Sequence, residues 1–393
     1  MRSIPFETLK TLARQAGLTV ISVTTPDEMV EDGQRLAEWQ SAGYAADMSY
    51  MERSPGLLST PTRLLESVKS IVVIAALYDR IPRPSLPVAH GRIARYAWGR
   101  DYHKVLRTRL SQLAELVNDQ CGGTVEYRVF SDSVPLLERA LSAKAGLSFI
   151  GKNTMAIIPG QGSFFFIGEV LWNVEIEGHT GAAGSKGRCG SCSNCISDCP
   201  TSAFVSERTL DAGRCISYLT IEKRGVLTYQ ERAWVGEWLF GCDVCQEVCP
   251  FNIVPLKKGA RAALPELSSE AGIGPSLSLE RVLSLRNDEA FRAIFQGTAL
   301  MRTKREGLVR NAAIVAANTQ ATGLLELLVR VAEEDPSSVV RRHALWAAAV
   351  IADREGGSPR HRVIAALDRA RKGEDGAMEE EVREIAIQLP NFL

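Results

Sequence analysis

Eight of the nine cysteines in this 393-residue chain lie in one stretch: Cys189, Cys192, Cys195, Cys199, Cys215, Cys242, Cys245 and Cys249. The ninth, Cys121, stands alone before a Gly-Gly turn and reads as an unreactive thiol. Cys189-x2-Cys192-x2-Cys195-x3-Cys199-Pro200 follows the bacterial ferredoxin run. There, three closely spaced cysteines wrap one cubane cluster, and the fourth, followed by proline, turns to another. The second half departs from this run, because Cys215 stands apart and Cys242-x2-Cys245-x3-Cys249-Pro250 comes much later, as if a loop were inserted. Crossed ligation then assigns Cys189, Cys192, Cys195 and Cys249 to one 4Fe–4S cluster, and Cys242, Cys245, Cys215 and Cys199 to a second. Two structural zinc sites are the rival reading, but zinc does not explain three consecutive cysteines or the repeated Cys-Pro ending. Such a pair of clusters carries single electrons and has no substrate pocket, so the chemistry belongs elsewhere in the chain.

A candidate for that chemistry is Asp132, just past a strand-like run, Thr124 to Phe130, and ahead of a helix expected from Pro135 to Ala145. Open α/β sheets place ligands at such strand ends. The plainer role is a helix N-cap, and the two are compatible. Gly151-Lys152-Asn153-Thr154 offers a cation and two hydrogen-bonding side chains, but lacks the spacer of a P-loop and follows a helix. No G-x-G-x-x-G follows a predicted strand, which speaks against a Rossmann-bound nicotinamide. Arg95-Tyr96-Ala97-Trp98-Gly99-Arg100-Asp101-Tyr102-His103 is dense in aromatic and cationic groups.

The elements that must position these residues alternate. Helices are expected at 6–17, 27–41 and 101–118, and strands at 18–23, 70–77 and 163–176, an α/β layout with connections long enough for crossovers. Residues 178–190 are a Gly-rich joint, and 257–278 a second linker. From Leu279 onward the pattern is helical. Val309 to Ala317 aligns without gaps on Val340 to Ala348, which suggests a small HEAT-like solenoid; a generic helical bundle is the alternative. The domains expected are 1–178 (α/β, catalytic), 179–256 (ferredoxin-like), the linker, and 279–393 (all-α).

Composition bounds the partners. Lys plus Arg and Asp plus Glu both number 46, a formal net charge of zero, which excludes a uniformly basic nucleic-acid coat. A hydrophobic share of 45% supports real cores. No apolar run is long enough for a membrane span and no h-region opens the chain, so a cytoplasmic protein without a membrane partner is expected.

Taken together, Tyr96-Ala97-x-Gly99-x-Asp101-Tyr102-His103, Asp132-Ser133-x-Pro135-x-x-Glu138, Gly151 to Thr154, the split ferredoxin run, Cys215 to Glu222 and Gly241-Cys242-Asp243-x-Cys245-Gln246 resemble the epoxyqueuosine reductase family. The resemblance spans nearly the whole chain. It implies a cobalamin-dependent iron–sulfur enzyme that completes queuosine at the wobble position of tRNA and shares its core with corrinoid reductive dehalogenases. The α/β part then becomes the cobalamin-binding domain, and Asp132 the general acid. Tyr96, Lys152, Asn153, Thr154, Ser217 and Asp243 become cofactor contacts. A low-potential donor such as a flavodoxin or ferredoxin supplies electrons, and the protein acts as a monomer. Asp101-x-His103 lacks the glycine of the motif that supplies a histidine to cobalt, so the corrinoid is read as bound without one.

For tRNA the tail is the natural candidate. Arg302, Lys304, Arg305 and Arg310 fall close together, Arg341 and Arg342 occupy the equivalent place in the next repeat, and stacked helix pairs would set them along one edge. A solvated helix face with salt bridges is the alternative. Two rival functions remain at this point: a reductive dehalogenase of a small molecule, and a non-catalytic electron-transfer or tRNA-binding adaptor.

Overall fold

Every residue of the strand Ser70–Leu77 is buried. It pairs antiparallel with Val20–Thr24 on one side and Phe165–Trp172 on the other, and Tyr127–Phe130 pairs antiparallel with the far edge of Phe165–Trp172. The long connections therefore join antiparallel neighbours and are not crossovers between parallel ones. The two arrangements look alike in sequence, because a strand covered on both faces is apolar throughout whichever way its neighbours run. Ile71, Val73 and Leu171 pack with Leu141 of the helix Glu138–Lys144. Across the sheet, Leu110 of the helix Tyr102–Gln120 approaches Gly168 so closely that a Cβ there would meet its Cδ1 at 2.9 Å.

The computed structural model describes residues 3–52, 59–133, 136–179, 187–355, 357–372 and 376–389. The expected helix start at Pro135 and most of the Gly-rich joint lie outside the described residues. Two compact units emerge. One comprises residues 1–82, 98–213 and 243–272; the other comprises 83–97, 214–242 and 273–393.

In the first unit, the helix Tyr102–Gln120 buries Tyr102, Leu106, Leu110, Leu113, Ala114 and Val117 at three- and four-residue spacing, and the Asp101 side chain caps it by accepting from the His103 backbone N–H. The sulfur-bearing segments form short helices, Asn194–Ser197 and Val244–Glu247. Cys249 then caps a third, Pro250–Lys258, whose first position is the proline of the Cys-Pro ending. The expected linker is pinned here: buried Asp79 accepts from the backbone N–H groups of Ala262 and Ser269 and from the Ser269 hydroxyl.

The second unit has a three-stranded sheet of Trp238–Phe240, His90–Ile93 and Ser276–Ser278. Its helices Lys304–Asn318 and Leu325–Glu334 pack on Ser338–Glu355, followed by Gly357–Lys372 and Gly376–Gln388. The repeated segments 309–317 and 340–348 form the buried sides of the first and third of these helices. Among the described residues no helix is long and apolar enough to cross a membrane.

Candidate active site and cluster ligands

Asp132 sits two residues past the strand Tyr127–Phe130, with φ of 50°, a left-handed conformation that aspartate tolerates better than most residues. It does not cap the next helix, which begins after Leu137 with no side-chain cap. Instead its backbone N–H donates to Glu138 Oε1, and its carboxyl is left 65% exposed. Tyr102 donates its hydroxyl to Asp132 Oδ2 at 2.5 Å, and His103 Nε2 lies 3.6 Å from the same oxygen. His103 Nδ1 is 2.9 Å from Asp101 Oδ1. The Tyr102 ring stacks on Phe166, with centroids 4.1 Å apart, and on His103 at 4.0 Å.

This end of the sheet concentrates acid. Burial works against a charged His103, but hydrogen bonds and charge from Asp101 and Asp132 outweigh it and raise its pKa to about 9. Burial, then the charge of Asp132, pushes Glu138 up to about 8. Register places Phe130 opposite Glu169, whose carboxyl is fully buried, with no hydrogen-bond partner for either oxygen among the described residues. Burial and the charges of Glu138 and Asp132 hold Glu169 well above the usual carboxylate range. Sequence reasoning passed over Glu169 and this role of His103. A lone acid inside the apolar run Phe165 to Trp172 was the available signal.

Cys189, Cys192, Cys195, Cys199, Cys245 and Cys249 belong to the first unit, Cys215 and Cys242 to the second. Burial, then the charges of Cys249, Cys189 and Cys192, lifts the Cys195 thiol to about 11. Burial likewise raises Cys249, with Cys189 and Cys192 adding to it. These four thiols are therefore mutual neighbours, and they are the set that crossed ligation assigns to one cluster. As bare thiols Cys195 and Cys249 resist ionisation, a cost that bound iron would relieve. Phe149, Ile157 and Phe251 surround Cys249 and Cys189. The backbone N–H groups of Lys152 and Ala203 point at Cys189 Sγ and Cys199 Sγ, each at 3.4 Å. Hydrogen bonds to sulfur of this kind tune cluster potential. Among the described residues no three His, Cys, Asp or Glu side chains converge as a lone metal ion requires. A cubane spreads its ligands over four irons and needs no such point.

The segment 151–154 runs between acid and sulfur. Lys152 Nζ pairs with Glu207 at 2.7 Å, Asn153 Nδ2 donates to the Cys245 carbonyl at 3.2 Å, and Arg139 donates to the Thr154 carbonyl at 2.5 Å. Thr154 has φ of 65°, costly for a β-branched residue and sustained by these contacts. Asp243 is buried, its carbonyl accepting from Gln246 and Glu247 at 2.9 and 2.8 Å. Tyr96 and Ser217 belong to the second unit. There the Tyr96 ring packs 5.9 Å from Phe240, and Ser217 lies in the helix Ile216–Ile221.

The basic strip is corrected at several positions. Arg310 is buried, donating to the carbonyls of Leu219, Lys223 and Gly225. It thereby satisfies groups that the end of the helix Ile216–Ile221 leaves open. Arg305 is buried against Asp335, and Arg342 pairs with Glu380 and Glu381 at 2.8 and 3.0 Å. Arg341 donates to the Asp335 carbonyl at 2.7 Å. Arg302 is exposed but paired with Glu222 at 2.8 Å, and Lys304 is exposed. Helical spacing does not distinguish an outward arginine from one that turns inward to cap carbonyls.

Comparison with known proteins agrees with both halves of this description. Residues 188–252 match the 4Fe-4S double cluster binding domain, and residues 59–133, which include His103 and Asp132, match the family model for epoxyqueuosine reductase QueG (DUF1730). The epoxyqueuosine reductase of Pseudomonas aeruginosa is 35% identical over 349 residues, covering 87% of this chain and 93% of the relative. That of Escherichia coli is 33% identical over 355 residues, covering 87% and 88%. A crystal structure of epoxyqueuosine reductase with an epoxyqueuosine-modified tRNA-Tyr stem loop is 30% identical, with a TM-score of 0.85 and 98% of each chain covered. The structure of epoxyqueuosine reductase from Streptococcus thermophilus is 26% identical, with a TM-score of 0.83 over the same share. This chain belongs to the epoxyqueuosine reductase family.

Proposed function

We propose that this chain reduces epoxyqueuosine to queuosine in the anticodon stem loop of tRNA, using two 4Fe–4S clusters and cobalamin, with Asp132 protonating the departing oxygen. The observation that carries this reading is the Asp132 carboxyl, exposed at the end of its strand and backed by Tyr102 and His103, in the unit that also holds Cys189, Cys192, Cys195 and Cys249. Bound cobalamin would supply a centre able to hold two electrons, which a one-electron cluster cannot. Lys152, Asn153, Thr154 and Asp243 in the first unit, and Tyr96 and Ser217 in the second, are the residues we assign to it. Both nitrogens of His103 face carboxylates, which fits a corrinoid bound without a protein histidine.

The same reading takes 1–178 as the catalytic domain, 179–256 as the ferredoxin-like domain and 279–393 as a HEAT-like array. A flavodoxin or ferredoxin is the electron donor, and the protein acts as a cytoplasmic monomer. Exposed Arg302 and Lys304 are the cations of the original strip best placed for RNA phosphate.

The test is turnover. Protein reconstituted anaerobically with iron, sulfide and cobalamin, and given a low-potential reductant, is expected to convert an epoxyqueuosine stem loop to a product lighter by one oxygen. Unchanged RNA under those conditions overturns the reading. The same preparation should hold about eight irons per chain, and two zincs in their place would contradict the cluster assignment.

A further inference from the structure

Removing an epoxide oxygen as water breaks two C–O bonds, forms one C=C bond, and consumes two electrons and two protons. The clusters account for the electrons. A single carboxyl carries one proton, so a second must come from a group able to hold it and reach the same place. We propose that His103 is that group, a positioning residue that recharges Asp132 Oδ2 from its own Nε2 after Asp132 has protonated the departing oxygen. This inference rests on Asp132 being the acid.

The geometry is specific. Nε2 lies 3.6 Å from Asp132 Oδ2, a short adjustment from a hydrogen bond. Asp101 holds Nδ1 at 2.9 Å, which fixes the ring orientation and keeps a proton on that nitrogen, so Nε2 is the one that exchanges. Tyr102 clamps the ring by stacking and donates to the same aspartate oxygen. The His103 side chain is 38% exposed and can reload from water.

The groups facing His103 are Asp101 and Lys104 from its own helix and its cap, Asp132 from the strand end, and Glu138 from the helix Glu138–Lys144. Behind them, Arg139 and Glu169 act on Glu138 and Asp132. Hydrogen bonds and charge from Asp101 and Asp132 outweigh burial of the ring and keep the imidazolium charged at neutral pH. Among the described residues Glu169 has no hydrogen-bond partner, and Glu138 binds the Asp132 backbone N–H. Tyr102 also donates to Oδ2, but losing its proton would leave a phenolate beside the carboxylate, whereas His103 is a cation that becomes neutral on giving one up.

Each proton is accounted for. Asp132 gives its proton to the oxygen as the first C–O bond breaks. His103 then passes one to Asp132, which supplies the second as water leaves. Solvent reprotonates His103, a second transfer recharges Asp132, and a second solvent proton returns His103 to the imidazolium, so two protons enter per turnover.

The experiment compares wild type, His103→Gln and Asp132→Asn as reconstituted holoenzymes turning over the stem loop from pH 6 to pH 10. His103→Gln retains a donor toward Asp132 but cannot titrate. Its kcat at pH 7 is expected to fall about a hundredfold with KM unchanged, and the alkaline limb expected in wild type near pH 9 should be absent. In His103→Gly, added imidazole should restore part of the rate. Wild-type kcat with the same alkaline limb in His103→Gln overturns the relay. So does a slowed His103→Gln that keeps that limb, together with a His103→Gly that imidazole does not rescue. If Asp132→Asn itself turns over at the wild-type rate, the acid assignment beneath the relay fails. An inactive Asp132→Asn beside an unaffected His103→Gln removes the relay alone.

Discussion

In the helical part of the second unit, Arg232 and Glu381 are 1% and 0% exposed and meet in a two-pronged pair at 2.6 and 3.0 Å. At the end of the main sheet Glu169 is as deeply buried, and among the described residues neither of its oxygens has a partner. The helical region treats its other buried polar groups in the same complete way. Arg310 satisfies three carbonyls, Arg305 meets Asp335, and His343 lies between the Leu227 N–H and the Val339 carbonyl. The sheet end instead gathers Asp132, Glu138 and Glu169 around one imidazole. A buried charge that is fully paired fixes how helices register. Buried carboxyls set close to one another, as Glu138 and Glu169 are, shift their proton affinities, which is the signature of proton chemistry.

Breaking the paired side should show in stability. Glu381→Ala leaves Arg232 buried without its partner and is expected to destabilise the protein by about 3–5 kcal/mol, read by denaturant unfolding. A loss under about 1 kcal/mol would mean that water reaches Arg232. Arg310→Met strands three carbonyls and should cost about 1–3 kcal/mol, without altering iron content.

On the unpaired side the effect should be one of pH. Glu169 has its folded pKa raised from the ordinary 4.5. Between those values the folded protein binds more protons than the unfolded one, so Glu169 makes stability fall as pH rises above 4.5. Glu169→Gln should flatten that slope in unfolding measured from pH 5 to pH 9. An unchanged slope would show that Glu169 titrates normally. The smallest effect belongs to the surface. Arg302→Ala with Lys304→Ala should weaken stem-loop binding by less than about tenfold and shallow its salt dependence by about one and a half units of log–log slope. An unaltered salt dependence would place the RNA elsewhere.

The double-cluster domain was legible because metal chemistry imposes cysteine spacing, and the strand Ser70–Leu77 because burial on both faces leaves an unbroken apolar run. Strand direction was not legible, since that run is the same in either orientation. The place of Asp132 after a strand was legible, whereas the N-cap role read for it there is not the one it takes, because the helix starts only at Glu138. The inward turn of Arg305 and Arg310 depends on carbonyls and a carboxylate contributed by distant segments. No local pattern records such partners. Glu169 shows the same limit from the other side, since its importance lies in what register sets opposite it.

The central claim is that the acid end of the sheet does proton chemistry, and a single-turnover rate tests it most directly. Reduced, cobalamin-loaded Asp132→Asn mixed with the epoxyqueuosine stem loop at pH 7 should react about a hundredfold to ten-thousandfold more slowly than wild type, with iron content and stem-loop binding unchanged. A rate within twofold of wild type would contradict the account.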